Sequence, residues 1–168
     1  MTKQPPTPQT DHPHAPAPNV RLNPLPPTLM RLLNPLVRRV LSSRHLGSRI
    51  DQVMLLEFTG RRSGRRIRVP VALHLIDGVP IAFTHRPWRL NFTGGTPVTI
   101  THRGRVRHGR GVLLPATPEQ VGSALRTALD SGTSPFVLGL KIARTHEPTT
   151  QDLATVGHSL IRFDLETV

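Results

Sequence analysis

The sequence predicts a protein of mainly β structure with flanking helices, an α+β domain built around a small, partly closed barrel. Six short apolar runs, several of them alternating apolar and polar residues, are separated by turn signals, as half-buried antiparallel strands are. Two segments with apolar residues at helical spacing lie before the first run and before the last one. A length of 168 residues suits one such domain with a tail.

The N-terminal region divides into two segments of different composition. Residues 1–27 contain nine of the eighteen prolines and few large apolar side chains, so we expect a disordered tail. Residues 28–46 place leucine and valine on one helical face and arginines off that face. We expect an amphipathic helix there, which either packs across the domain or lies on an anionic membrane.

The predicted strands begin at residue 52. Residues 52–59 are mostly apolar and predict a central strand, and residues 67–75 alternate so regularly that they predict the clearest strand of the chain. Asp77-Gly78 is a hairpin signal, so residues 79–84 are expected to return as the third strand. Three further runs predict the remaining strands: residues 96–102, 106–114 and 159–165.

A second helix is predicted between the fifth and the sixth strand. Residues 118–130 have one apolar face, and Gly132 follows as a stop signal. The segment 133–157 is ambiguous and predicts only a short helix at residues 151–156.

The charge of the chain is strongly positive and unevenly distributed. The net charge of +12 comes almost wholly from arginine, since only Lys3 and Lys141 are lysines. Eleven arginines and one acidic residue, Asp77, lie between Phe58 and Pro118. Such a field attracts polyanions, which include a phosphorylated cofactor, nucleic acid and an anionic membrane surface. Composition alone does not choose between them.

Several classes of protein and of chemistry are disfavoured. The chain has no cysteine, which excludes disulfides, thiolate metal sites and a cysteine nucleophile. No apolar run has the length that spans a bilayer, and prolines occupy the place where a secretory signal would be apolar. We therefore expect a cytoplasmic protein, with residues 28–46 as the segment that could hold it at the inner face of the membrane.

The predicted strands carry no familiar acid–base or metal constellation. Only Glu57 and Asp77 are acidic between residues 52 and 118, so paired carboxylates are not expected. The sequence lacks a His-Glu-x-x-His motif, and the histidine pair His102 and His108 is typical of two exposed strand residues, so no metal site is predicted. This pattern favours chemistry that a cofactor carries.

The most informative stretch is a basic turn at residues 60–64, Gly-Arg-Arg-Ser-Gly, which leads into the clearest strand. Its glycines let the backbone approach a ligand, and successive N–H groups in such a turn can bind an anion. Arg62, Arg65 and Arg66 can add forked hydrogen bonds to a phosphate or a carboxylate. The alternative is a solvated basic hairpin loop.

Three motifs in this order resemble the signature of the deazaflavin-dependent nitroreductase family. The first is the basic turn with Pro70-Val71 six residues further on, the second is the run at residues 87–92, and the third is the run at residues 97–100 followed by Arg-Gly-Arg. The match extends over about residues 50–115. The resemblance implies the split β-barrel of flavin reductases and pyridoxamine-phosphate oxidases. It also implies coenzyme F420 as cofactor and hydride transfer from its reduced form to a quinone, a nitro compound or an activated alkene.

The resemblance also implies roles for individual residues. The basic turn would hold the phosphate or acidic tail of the cofactor, Pro70 and Val71 would lie against its ring, and His85 would act in catalysis by protonating the product. Arg68 stands one position from an arginine that is common in relatives. The cofactor-binding residues implied are Arg62, Ser63, Gly64, Arg65, Arg66, Arg68, Pro70, Val71, Thr84, Trp88 and Asn91. Other roles stay open: Trp88 could be a core residue, Asn91 a cap of the following turn, and His85 a solvated surface residue.

The chain departs from the family pattern at several points, and other functions remain open. It has no tyrosine, although tyrosines line the substrate pocket of well-studied members, and Phe92 replaces a leucine. FMN could replace F420, or the barrel could hold a flavin, haem or lipid without turnover. A nucleic-acid-binding function would explain the arginines. However, this chain lacks the aromatic platforms that single-strand binders use. We expect a small-molecule acceptor as partner, no nucleic acid, and a monomer or homodimer.

Overall fold

The computed structural model describes residues 19–23 and 52–166. Most of the predicted tail at residues 1–27 and the whole predicted helix at 28–46 lie outside these residues. Within the two described ranges, no helix is both long enough and apolar enough to cross a membrane.

The described residues form nine strands, two α-helices and one 3-10 helix. The strands are β1 (Val20–Leu22), β2 (Val53–Thr59), β3 (Arg66–Ala72), β4 (His74–Ile76), β5 (Val79–Thr84), β6 (Thr96–His102), β7 (Arg105–Leu113), β8 (Leu140–Ile142) and β9 (Ser159–Leu165). The helices are the 3-10 helix Pro87–Phe92, α1 (Pro118–Asp130) and α2 (Thr150–Ala154). The predicted mainly β, α+β class is therefore confirmed.

Seven strands form one antiparallel sheet in the order β3-β2-β6-β7-β9-β5-β4. The sheet curls until β3, at one edge, approaches β5 near the other edge, which gives a half-barrel with an open seam. The register fixes the inner face of this sheet, because Leu56 lies opposite Val69 on β3 and opposite Ile100 on β6. With the pleat alternating sides, all three apolar side chains point into the half-barrel.

The predicted strand at residues 67–75 is in fact two strands. Its first part, β3, pairs with β2, whereas its second part, β4, pairs with β5 at the opposite edge of the sheet. The break is at Leu73, whose N–H donates to the carbonyl of Gln52 over 2.9 Å. Alternation of apolar and polar residues continues through such a corner, so the pattern could not show where the chain changes partners.

A second, two-stranded sheet includes residues that the sequence assigned to the tail. β1 pairs antiparallel with β8, and Val20 is only 4% exposed. Residues 20–22 thus form a strand within the segment that the sequence assigned to the tail. The physical reason is that Val20 and Leu22 pack against the helices and the loop before β8, a contact that a short run between prolines does not reveal.

Within the described ranges, the buried apolar side chains form two groups, one on each side of the sheet. The group inside the half-barrel comprises Met54, Leu56, Phe58, Ala82, Phe92, Val98, Ile100, Ile161 and Phe163. The group under the helices comprises Val20, Ile81, Val121, Leu125, Ala128, Leu138, Leu140, Leu153, Val156 and Leu160. Burial of this apolar surface on both faces of the sheet is the main force that holds the curled sheet in shape.

The local signals placed several boundaries correctly. Asp77 and Gly78 have φ values of 51° and 79°, the pair of positive angles that a two-residue hairpin turn requires. Helix α1 spans residues 118–130 as predicted, and Thr117 begins it with a capping box in which its side chain and that of Gln120 each accept a backbone N–H.

Gly122 permits close packing of α1 on α2, and its replacement tests that contact. A Cβ at this position would overlap the carbonyl oxygen of Thr150 and lie 2.9 Å from the backbone nitrogen of Ala154. Because backbone atoms cannot rotate away, we expect Gly122→Ala to lower the free energy of unfolding by about 1–3 kcal/mol in urea titrations. The exposed neighbour provides the control, since Ser123→Ala should leave stability within about 0.5 kcal/mol. Equal stability of the two variants would contradict the packing.

Candidate functional site

A cleft of about 380 Å³ lies at the open seam of the half-barrel. It is bounded by β3 from Val69 to Ala72, by the end of β5 with Arg86, and by the loop at residues 137–139. We call it the seam cleft. Its volume falls in the range of small-molecule sites, and its lining is mainly apolar with a few polar groups, which is the usual character of such sites.

Two other openings are less suited to a specific ligand. A shallow groove of about 590 Å³ between α1 and residues 142–148 is lined by Arg126, which is already paired with Asp130 at 2.9 Å and Glu147 at 3.2 Å. A third opening, of about 370 Å³, lies on the outer face of β2, β6 and β7 and includes Glu57.

Five of the residues singled out in the sequence line the seam cleft together. Pro70 and Val71 come from β3, Thr84 and His85 from the end of β5, and Trp88 from the 3-10 helix. These residues are separated by up to 18 positions in the sequence, and the curl of the sheet brings them to one place.

Pro70 lies in an edge strand, as its lack of an N–H group requires. β3 pairs with β2 on one side, where Pro70 is opposite Leu55, and with no other strand of the described ranges. The other side of β3 faces the seam. Backbone groups on that side are therefore available to water or to a ligand in the cleft.

Trp88 forms a fixed wall of the cleft and is also part of the core. Its ring centroid lies 6.0 Å from that of Phe58 and 5.9 Å from that of Phe92. Phe92 is fully buried, so the indole rests on a rigid base. The two roles considered for Trp88 are compatible, because one face can pack inward while the side chain still borders the cleft.

The basic turn does not line the seam cleft, and its Gly64 borders the third opening, on the outer face of the sheet. The N–H of Arg61 donates to Asn91 Oδ1 over 2.8 Å, and Asn91 Nδ2 donates to the carbonyl of Trp88 over 2.8 Å. Asn91 thus joins the basic turn to the 3-10 helix, and neither of these bonds reaches the turn that follows the helix. Its role in binding a cofactor stays a prediction.

Inside the turn, part of the backbone is already hydrogen-bonded. The Gly64 N–H donates to the carbonyl of Gly60, and Ser63 Oγ accepts a bond from the N–H of Arg65. Arg62 and Arg65 are exposed, and their guanidinium groups contact no partner in the described part of the chain. The exposed side chains of Arg61 and Arg62 in the turn, and of Arg65 directly after it, are therefore able to meet an anion.

Arg66 and Arg68 are engaged elsewhere. They lie 2.6 Å and 2.9 Å from the carboxylate of Glu57, whose side chain is 10% exposed. Glu57 lies on the outer face of β2, because the alternate residues Leu56 and Phe58 point into the core. The structure thus gives both arginines a partner on the outer face, and their predicted role in cofactor binding gains no support from their position.

His85 is half-buried at the mouth of the cleft. Burial lowers the pKa of its imidazole, and the nearby charges of Arg86 and Arg89 lower it further. His85 is therefore neutral at pH 7, so it can donate a hydrogen bond from its N–H but does not carry an extra proton at that pH. This limits the catalytic role predicted from the sequence to hydrogen-bond donation near neutrality.

Two further histidines border the seam cleft, and sequence reasoning missed both. His74 and His158 are buried, and burial lowers the pKa of each to about 4. Phe83 lies between them, with ring centroids 5.1 Å from His74 and 6.4 Å from His158. His74 occupies what reads as a polar position of an alternating strand, so no sequence signal marked it. The described residues contain no group of three or more potential ligands that could hold a metal ion.

Comparison with known proteins does not assign the chain to a family. No family model matches it, and no curated protein matches its sequence. Of the solved structures that match, one aligns with a TM-score of 0.39 and 13% sequence identity over 73% of this chain and 80% of that chain. A likeness at that level identifies neither a fold family nor a ligand.

The buried histidines predict a loss of stability in mild acid. Their folded-state pKa of about 4 lies below the ordinary value of 6.5, so the unfolded chain binds more protons between these values. The stability present above pH 6.5 should fall as the pH is lowered toward 4, by up to about 3 kcal/mol for each histidine. Urea titrations at pH 7 and pH 4.5 should show this loss, and a smaller one for His74→Phe. An unchanged loss in that variant would contradict burial of a neutral His74.

The ion pairs of Glu57 predict an asymmetric response to mutation. Removing both arginines in Arg66→Ala/Arg68→Ala leaves a largely buried carboxylate without these partners, whereas Glu57→Gln leaves two arginines that water can solvate. We expect the double variant to lose about 1–3 kcal/mol more unfolding free energy than Glu57→Gln, measured by urea titration at low salt. The opposite order would show that Glu57 does not depend on these arginines.

Proposed function

We propose that this chain is an F420-dependent oxidoreductase that reduces a quinone, a nitro compound or an activated alkene by hydride transfer. One observation carries the proposal: Pro70, Val71, Thr84, His85 and Trp88, to which the family resemblance gives cofactor-binding or catalytic roles, line one cleft. The finer assignment to a split β-barrel of the flavin reductase type belongs to the same proposal, and the curled half-barrel is compatible with it.

The residues of the seam cleft suit a flat ring. Trp88 and the apolar side chains of β3 provide walls, and the free side of β3 offers backbone groups to the polar edge of a ring. When bound, the reduced coenzyme would supply the hydride. The chain would bind and orient the two reactants and would keep water away from them, which is the usual division of labour in cofactor enzymes.

The charged part of the cofactor would be met by Arg86 and by the exposed arginines of the segment 61–65. Arg62 and Arg65 are exposed and have no described partner, and Arg86 borders the cleft itself. Arg89 Nη1 donates to the carbonyls of His85 and Arg86 over 3.2 Å and 3.3 Å, which holds this corner of the cleft in place. Guanidinium groups bind phosphate and carboxylate through charge-assisted hydrogen bonds.

His85 would act on the acceptor rather than on the cofactor tail. As a neutral imidazole at the mouth of the cleft, it can donate a hydrogen bond to the oxygen that gains negative charge as the acceptor is reduced. The chain has no tyrosine that could donate this hydrogen bond instead.

A non-catalytic role is the alternative. The same cleft could hold FMN, haem or a lipid without turnover. FMN and F420 both have a flat ring and a phosphate. The residues that line the cleft therefore do not indicate which of these two cofactors would bind. Contact of residues 28–46 with a membrane stays a prediction.

Titration of the purified chain tests the proposal. We expect oxidised F420 to bind in the micromolar range and to quench the fluorescence of Trp88. We expect Arg62→Ala to weaken binding by roughly tenfold, because one charge-assisted hydrogen bond is lost. Arg144→Ala is the matched control, since Arg144 is exposed but lies outside the seam cleft and the basic turn.

The outcomes separate the functions. Oxidation of reduced F420 on addition of a quinone such as menadione would support the enzyme, and binding without oxidation would support a carrier. Binding of FMN but not of F420 would indicate that the chain is an FMN-binding flavoprotein instead. Binding of neither would refute the cofactor assignment.

A further inference from the structure

His74 is placed where a ligand of the seam cleft would meet it. It is the first residue of β4, directly after the corner at Leu73, and it lies opposite Ile81 on β5. Its side chain is only 6% exposed, yet it is one of the residues that line the cleft. The ring packs against Phe83 with centroids 5.1 Å apart, so its orientation is fixed from one side.

The hydrogen bonding of His74 differs from that of the other buried histidine. His158 Nε2 donates to the carbonyl of Leu138 over 3.0 Å, which gives that ring a structural partner. His74 forms no hydrogen bond with any residue in the described ranges. Among the described residues, His158 Nδ1 is fully buried without a partner, whereas neither ring nitrogen of His74 is, so the His74 nitrogens keep access to water or to a ligand. The cleft is the side from which such a partner can come.

The charge state of His74 indicates which chemical groups can be its hydrogen-bond partner. Burial lowers its pKa to about 4, so at neutral pH the ring carries one N–H donor and one acceptor nitrogen and no charge. A phosphate or a carboxylate would therefore gain little there. The anionic groups of a cofactor would instead meet the exposed arginines Arg62 and Arg65. A neutral group with carbonyl oxygens and an N–H suits the imidazole best.

We propose that His74 binds the ligand of the seam cleft through a hydrogen bond to the carbonyl and N–H edge of a flat pyrimidinedione ring. This edge is shared by deazaflavins and by FMN, so the inference rests on the proposed function but does not depend on which of the two is bound. His74 then sets the orientation of the ring, since one polar edge is held at the inner end of the cleft. The opposite, benzenoid edge is left toward Trp88.

The test compares His74→Phe with the unmodified chain in titrations with oxidised F420 and with FMN. Phenylalanine keeps the aromatic packing on Phe83 but removes both ring nitrogens. We expect the variant to bind each ring roughly three- to tenfold more weakly, the effect of one neutral hydrogen bond. His108→Phe is the control, because His108 is exposed on the outer face and outside the seam cleft.

A second measurement covers the case in which His74→Phe does not fold. In the unmodified chain, the ¹⁵N chemical shifts of the His74 imidazole should move when F420 or FMN is added, because a new hydrogen bond forms at the ring. A structural histidine that does not touch the ligand would keep its shifts.

The results distinguish this inference from the proposed function. Weaker binding by His74→Phe, or a change in the His74 shifts, supports the inference. Equal binding by both chains with unchanged shifts overturns the inference alone. If the unmodified chain binds neither F420 nor FMN, the proposed function and this inference fall together.

Discussion

The open seam between β3 and β5 is the constraint on which the rest of the structure depends. The sheet curls far enough to bring the two strands close, yet they do not pair, and Pro70 has no N–H to contribute to a closed ladder. The edge of β3 therefore faces a cleft instead of another strand. Backbone groups along such an edge need water or a ligand as partner, so a half-barrel that fails to close leaves a cleft with unpaired backbone groups along one side.

The lining of the cleft and the surface around it differ in charge. The arginines between residues 61 and 110 lie on the half-barrel, whereas Glu119, Asp130, Glu147 and Asp152 lie on or next to the two helices. The interior of the cleft is bordered by histidines that burial keeps neutral. An uncharged ring can thus be held inside while an anionic tail is held outside, which is the arrangement that our proposed function uses.

Local sequence patterns were sufficient for most of the sheet and for one helix. The strands at residues 96–102 and 159–165 and the helix at 118–130 have the boundaries that alternation, helical spacing and the stop signal predicted. The break at Leu73 and the pairing of β1 with β8 were not predictable, because both depend on which distant strand supplies the hydrogen bonds. His74 and His158 were missed for a related reason. Their burial comes from the curl of the sheet, which no local pattern encodes.

The most direct test of the central claim, that the seam is the ligand site, is an NMR titration that maps amide shifts on addition of oxidised F420. The seam predicts that shifts concentrate on β3 from Val69 to Ala72, on Thr84 to Trp88 and on residues 137–139. Shifts confined to the groove between α1 and residues 142–148, or to the outer face around Glu57, would contradict it.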